Sequence, residues 1–417
     1  MKNTELGFEP ADILLPKAAD MTKWSVIACD QYTSQPEYWD DIYSRVADAP
    51  STLHLILPEA YLERPLSKTI SDKIPLAMKE YLEGDIFKTI ENSYIYVERT
   101  LRDGRVRRGI VGALDLEVYD YSKGSKSLCR ATEATVVERL PKRVEIRKAA
   151  QLELPHILML IDDDLNQVIE PYNDIKASLE KLYDFELYPQ SGKIAGWRID
   201  SGRFDILRHG LTNLLERASD KDPMLYAIGD GNHSLAAAKL YYEQLKSELG
   251  DKAKDHPARY ALLELVNLRD AALDFEPIHR VVFEVEPEHF IKEFLSYYPD
   301  MQKGSIGRQN VTVITGGIKQ QYGFLNPENK LCAGTVQTFL DWYISRFGGK
   351  IDYIHGQRAV ENIAAGGSDR VGLLLDDVDK SAFFQSVISD GALPRKTFSM
   401  GHAWDKRFYL ECRKIVR

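Results

Sequence analysis

The sequence predicts a mixed α/β protein with two domains, and three observations carry that expectation. Its 417 residues exceed what a single core of ordinary size holds. Short β-rich runs alternate with runs of helical spacing over most of the length. Near the middle, one β-rich run passes through a glycine-bearing turn directly into a stretch rich in alanine and leucine, as a good helix is.

Composition narrows the class. A hydrophobic fraction of 44% and a charged fraction of 28% suit a chain that folds throughout. The net charge of −9 argues against a nucleic-acid binder, which needs clustered positive charge to displace counterions from phosphates. Cys29, Cys129, Cys332 and Cys412 are scattered, without zinc spacing or disulfide density, so reduced thiols are expected. The polar start Met1 to Glu5, and the lack of any run near the ~18 apolar residues of a membrane span, predict a cytoplasmic protein with no membrane partner.

From the N-terminus, Leu53 to Leu57 reads as a strand ended by Pro58, and Ile74 to Tyr81 as a helix. Tyr94 to Arg99 and Val106 to Leu114 flank Arg102-Asp103-Gly104, and Asp-Gly between β-rich runs predicts a hairpin. His156 to Ile161 is an apolar run stopped by three aspartates, which suits a buried strand; Asp205 to Ala218 has helical spacing. Met224 to Ile228 predicts the next strand, and helix should run on to Leu249, where Gly250 supplies a stop. Ala261 to Leu268 is a further apolar run, and Pro277 to Phe283 a loop entering a strand. The acidic stretch Glu284 to Glu288 is the expected boundary between an N-terminal domain, 1–284, and a smaller C-terminal α/β domain, 285–417. The latter should hold strands near Val311 to Thr315 and Gly372 to Leu375, and helices near Val336 to Phe347 and Lys380 to Ser389.

The turn Gly229-Asp230-Gly231-Asn232-His233-Ser234 is the expected working site. A strand, a glycine turn and a helix aim backbone N–H groups and the positive end of the helix dipole at whatever lies above the sheet, which favours phosphate. Gly229 and Gly231 permit positive φ and close approach, while Asp230, Asn232 and His233 supply acceptor, amide and imidazole. Asp230 and Asn232 also make turns and cap helices, and that reading stands beside the first. The turn matches neither the Walker loop nor G-x-G-x-x-G. The chain has no Gly-x-Ser-x-Gly elbow and no clustered histidine and cysteine pattern, so serine hydrolase and structural zinc are demoted.

Further segments carry a family resemblance: Ala28 to Trp39, Arg130 to Thr135, the turn itself, Pro277 to Arg280, and Leu393 to Phe398. On these the chain resembles the domain-of-unknown-function 1015 family over nearly its whole length. Many members read Asp-Gly-His-His-Arg at the turn, which is similar to the signature of the ParB and sulfiredoxin-like superfamily with its free-serine kinases. The resemblance implies a ParB/sulfiredoxin-like N-terminal core, nucleotide phosphates bound at the turn, and a glutamate that deprotonates serine. Asp230, Gly231 and His233 match that pattern; Asn232 replaces a histidine and Ser234 the arginine, so a cation must come from elsewhere.

The roles follow. Glu133 is the expected base, with Asp230 and His233 catalytic beside it. Gly229, Gly231, Asn232, Ser234, Arg130, His279, Arg280, Arg395 and Lys396 are expected at substrate or phosphate, Arg130 on a helical face shared with Glu133 or paired with it, and His279-Arg280 on a pocket rim or the surface. Asp30 and Asp230 are the candidate metal ligands. Tyr32, Tyr38 and Trp39 read either as a base-stacking platform or as core. A phosphotransferase acting on a small hydroxylated metabolite, free serine or phosphoserine with ADP or ATP and Mg²⁺, is the leading expectation. A metal-dependent phosphatase and a non-catalytic nucleotide- or metabolite-binding regulator are the alternatives, and a homodimer is open to the chain.

Overall fold

The computed structural model describes residues 6–28, 32, 36–61, 66–135, 137–218, 222–304, 307–394 and 396–417. Strands and helices alternate in two compact units, confirming a mixed α/β class. The first unit comprises 1–131, 135–273 and 401–417, and the second 132–134 and 274–400. This division falls at Asp274, whereas the sequence suggested 284–288; the strand Phe275–Phe283 belongs wholly to the second unit, and the C-terminal residues return to the first.

In the first unit the hairpin is as expected: Phe87–Thr100 pairs antiparallel with Val106–Asp115, and Gly104 takes φ +87° in the connection. Around it the sheet runs Lys181–Glu186, Lys193–Ile199, Phe87–Thr100, Val106–Asp115, Tyr260–Asn267, Leu158–Ile161, Tyr226–Asp230, Cys129–Ala131, Tyr119–Asp120. Its central strands bury both faces, so their side chains alternate between two cores. Tyr94, Tyr96, Ile110, Leu263 and Leu265 face one, with the helices Phe204–Arg217 and Asn232–Leu249 contributing Leu207 and Leu235. Ile95, Val97, Val111 and Leu262 face the other, together with Phe408, Leu410 and Cys412 from the C-terminal segment.

The second face turns polar toward one end. Continuing the alternation brings Arg99, Arg107 and Glu264 onto it, all buried. Residues 402–411 cross this row: Arg99 donates to the Trp404 carbonyl at 3.0 Å, Arg107 to the Asp405 carbonyl at 3.0 Å, and Arg407 pairs with Glu264 at 2.8 Å and Glu411 at 2.5 Å. Tyr183 donates to Glu411 at 2.6 Å. Gly109 is required there, since a Cβ on it would stand 2.4 Å from the Glu264 carboxylate.

The expected strand at Leu53 to Leu57 is a 3-10 turn, Thr52–Leu55. Ser51 caps it through Leu53 N at 3.2 Å, and the Thr52 hydroxyl donates to the Trp24 carbonyl at 2.8 Å, so a local cap and a hydroxyl bond to a distant segment outweigh the β-rich composition. Trp39 is buried in the core, whereas Tyr32 and Tyr38 are half-buried, packed against it and stacked on each other at 3.9 Å. Cys129, Cys332 and Cys412 are free and buried; Cys29 lies outside the described residues. No helix among the described residues is long and apolar enough to cross a membrane.

In the second unit, Phe275–Phe283 sits between Arg370–Leu375 and Lys350–His355, all antiparallel, and Gln309–Thr315 extends the sheet beyond Arg370–Leu375. The helices Pro287–Tyr297 and Cys332–Phe347 cover one face through Phe290, Phe294, Val336 and Phe339. Gln357–Ala365 lies on the other through Val360 and Ala364.

Candidate functional site

Tyr226–Asp230 leads directly into the helix Asn232–Leu249 through Gly231. Gly231 has φ +81°, and a Cβ there would come 2.8 Å from Ile157, so both conformation and space call for glycine. The strand carries an irregularity just before the turn: Ile228 opposes Met159 and Asp230 opposes Leu158, two residues against one. A one-residue bulge reverses the facing of everything beyond it. Tyr226 and Ile228 face the first core, so Gly229 turns Asp230 onto the opposite, charged face.

There Asp230 meets a lysine that the sequence reading did not select. Lys406 Nζ lies 3.1 Å from Asp230 Oδ2, with the lysine side chain 8% exposed and the aspartate 34%; Asp230 Oδ1 accepts from Gly231 N at 2.9 Å. Ser234 on the first turn of the helix bonds His156 Nε2 through its hydroxyl at 2.8 Å. The His156 ring stands edge-on to Tyr409 at 5.3 Å, and its Nδ1 is enclosed without a partner. Burial holds His156 below the usual imidazole value, against the pull of the Asp230 carboxylate, so the ring is neutral at pH 7. Asn232 is buried and donates to the Ile228 carbonyl at 3.3 Å, a bond that holds the turn closed. His233 follows it, half-buried.

The other expected residues divide between the two units. Arg130 lies on the strand Cys129–Ala131, not on a helix with Glu133; it is buried and spends its guanidinium on Asp222 at 2.5 Å and on the Ser127 and Pro223 carbonyls. Glu133, Lys396, His279 and Arg280 belong to the second unit. Glu133 bridges to Leu393 and accepts from Lys396 N at 3.1 Å, and Lys396 has φ +58°. His279 and Arg280 are interior residues at 7% and 0% exposure, correcting the expectation of a rim or surface pair. Asp30 and Arg395 lie outside the described residues. No group of three or more histidine, cysteine or acidic side chains suited to a metal occurs among the described residues.

His279 allows a test of the second unit. Its Nδ1 accepts from Leu375 N at 3.2 Å, and burial first, then the Arg280 charge, lowers its pKa to about 4. A histidine whose folded pKa lies below its unfolded value of about 6.5 takes up its proton first in the unfolded chain. Stability should therefore decline as pH falls from about 6.5 toward 4. His279→Gln is expected to make that decline shallower, read as urea midpoints at pH 7.5 and pH 5; an unchanged decline contradicts the assignment.

The family model described as "Protein of unknown function (DUF1015)" matches residues 10–343. Among curated proteins none is significantly similar to the chain. Similar solved structures include SbnI with a C-terminal truncation from Staphylococcus aureus, 12% identical over 72% of this chain and 85% of its own, with a TM-score of 0.38. A conserved hypothetical protein from Pyrococcus furiosus is 10% identical over 73% of this chain and 94% of its own, at 0.37. A free serine kinase mutant in complex with AMP is 12% identical over 75% of this chain and 93% of its own, at 0.40. At such scores the likenesses carry no argument about chemistry.

Proposed function

The chain belongs to the DUF1015 family, whose description names no reaction, and from that premise we propose a phosphotransferase that moves a phosphoryl group between an adenine nucleotide and a small hydroxylated metabolite, free serine or phosphoserine in particular. One observation supports the reading: a nearly buried Lys406 stands 3.1 Å from Asp230, beside a turn that carries no lysine or arginine of its own. The positive end of the helix dipole and an ammonium beside it suit a phosphate. In the transfer, the acceptor hydroxyl oxygen bonds to phosphorus and gives up its proton to water as the bond to the nucleotide oxygen breaks, and the protein's part is to hold both in line and neutralise the moving charge. Lys406 and the helix dipole neutralise; His233 lies one residue into the helix, where its ring can donate to the phosphoryl oxygens.

Mg²⁺ fits this arrangement poorly. Asp230, the described carboxylate expected to hold it, is already engaged by Lys406 and Gly231 N, and no step is routed through the ion. The same pairing engages the Lys406 ammonium as well, and so favours a second reading, a nucleotide- or metabolite-binding regulator without turnover.

The test incubates the full chain with ADP or ATP, Mg²⁺ and serine, and separately with phosphoserine and nucleotide, and follows phosphoserine by ³¹P NMR. Transfer in either direction supports the enzyme. Binding without transfer supports the regulator, and a His233→Ala variant with full activity removes that residue from the site.

A further inference from the structure

Arg280 poses a separate problem. It is fully buried on the strand Phe275–Phe283, yet only one edge of its guanidinium has a partner: Nη1 donates to the Ile278 carbonyl. Nε and Nη2 are buried without any hydrogen-bond partner. These are the two nitrogens whose N–H bonds project side by side in the guanidinium plane, the fork that takes two oxygens of one carboxylate or phosphate. Its carbon centre lies 5.1 Å from the Tyr353 ring centroid, a contact that leaves the edge unsatisfied.

A second buried group, on the helix that covers this sheet, has the complementary lack. Gln337, on the helix Cys332–Phe347, is 6% exposed; its Nε2 donates to Asp341 at 2.8 Å, while its Oε1 is buried with no donor. The two lie on one side of the sheet: Arg280 shares the strand face of Val282, which packs with Val336 of the helix that carries Gln337, and the charges of Glu133 and Asp341 act on Arg280. Glu133 directs Oε1 at Lys396 N and does not meet the Arg280 fork. Burial dominates the balance and lowers the Arg280 pKa to about 10, as expected of a guanidinium short of a close counter-ion. Native interiors seldom leave two such groups unsatisfied in one neighbourhood unless something else occupies it.

We propose that the second unit carries its own oxyanion site, in which the Nε and Nη2 edge of Arg280 takes two oxygens of a small carboxylate or phosphate and Gln337 Oε1 accepts from a hydroxyl or ammonium on the same ligand. Both residues that form it lie within 274–400, in the second unit.

Inorganic phosphate, glycolate and acetate serve as probes, because the first two offer both an oxyanion edge and an O–H donor while acetate offers only the edge. Thermal midpoints of the full chain are measured against each at constant ionic strength in a Lys406→Met background, which disables the seat in the first unit. Phosphate and glycolate should raise the midpoint in a saturable way, with acetate weaker by about tenfold. Arg280→Lys keeps the charge, loses the parallel fork, and should weaken phosphate by tenfold or more, on the order of one charge-assisted bond. Gln337→Leu, which needs no new buried charge, should abolish the preference for glycolate over acetate, and decides the matter if Arg280→Lys does not fold. No saturable shift with any probe, as an enclosed water would give, overturns the site. So does a shift that survives Arg280→Lys, or a glycolate preference that survives Gln337→Leu. Loss of the phosphate response in Lys406→Met alone would place anion binding at the turn and refute the second site while leaving the proposed function standing.

Discussion

Replacing Arg407 with methionine is expected to destabilise the first unit by roughly 3–5 kcal/mol, the range for removing one partner of a buried ion pair. Arg407 is 2% exposed and holds two carboxylates, Glu264 and Glu411, which are 1% and 0% exposed. Burial works against its charge, and Glu411 with Glu264 more than offsets that, raising its pKa. Without the guanidinium, two carboxylates remain in a dry interior with Tyr183 as a single hydroxyl donor to one of them. Adding Glu264→Gln and Glu411→Gln to the same variant should recover most of the loss, because it is the orphaned charge and not the missing attraction that dominates. Tryptophan fluorescence during urea unfolding is a suitable reading, since Trp24, Trp39, Trp197 and Trp404 all lie in the first unit. A midpoint unmoved by Arg407→Met would show that the row is hydrated and not a sealed network.

Lys406→Met carries the second large effect. If the helix terminus seats phosphate, losing this ammonium removes a charge-assisted hydrogen bond worth about 1.5–3 kcal/mol, or roughly ten- to a hundredfold in nucleotide affinity. Asp230→Asn should act the other way. It keeps the shape of the turn, frees Lys406 from its 3.1 Å partner, and is expected to leave affinity for ADP unchanged or higher. A metal-ligand role for Asp230 predicts the reverse, a steep loss in the presence of Mg²⁺. Isothermal titration of ADP into both variants, with and without Mg²⁺, separates the cases. Equal affinity in wild type and Lys406→Met would remove the lysine from the site and with it the observation on which the proposed reaction rests.

What the residues alone determine here is local. The hairpin is legible because Asp103-Gly104 sets the connection between two β-rich runs, and the helix Asn232–Leu249 because its composition and its Gly250 stop act within a few residues. Gly231 is legible for the same reason, since a strand-to-helix turn needs positive φ at that point. The short run at Leu53 to Leu57 misleads because hydroxyl bonds from Ser51 and Thr52 reach Lys23 and Trp24, contacts no local pattern contains.

Only the tertiary structure decides which charges meet. Lys406 reaches Asp230 across 176 positions of chain, through a bulge at Gly229 that turns the carboxylate to the other face and a C-terminal segment that returns to the first sheet. Glu133 and Arg130, three positions apart, take up separate partners, because the strand that holds Arg130 ends before Glu133 begins its own pairing with Leu393. Backbone propensity acts over a handful of residues, whereas an ion pair depends on distance in space, and that distance exists only once the sheet is assembled.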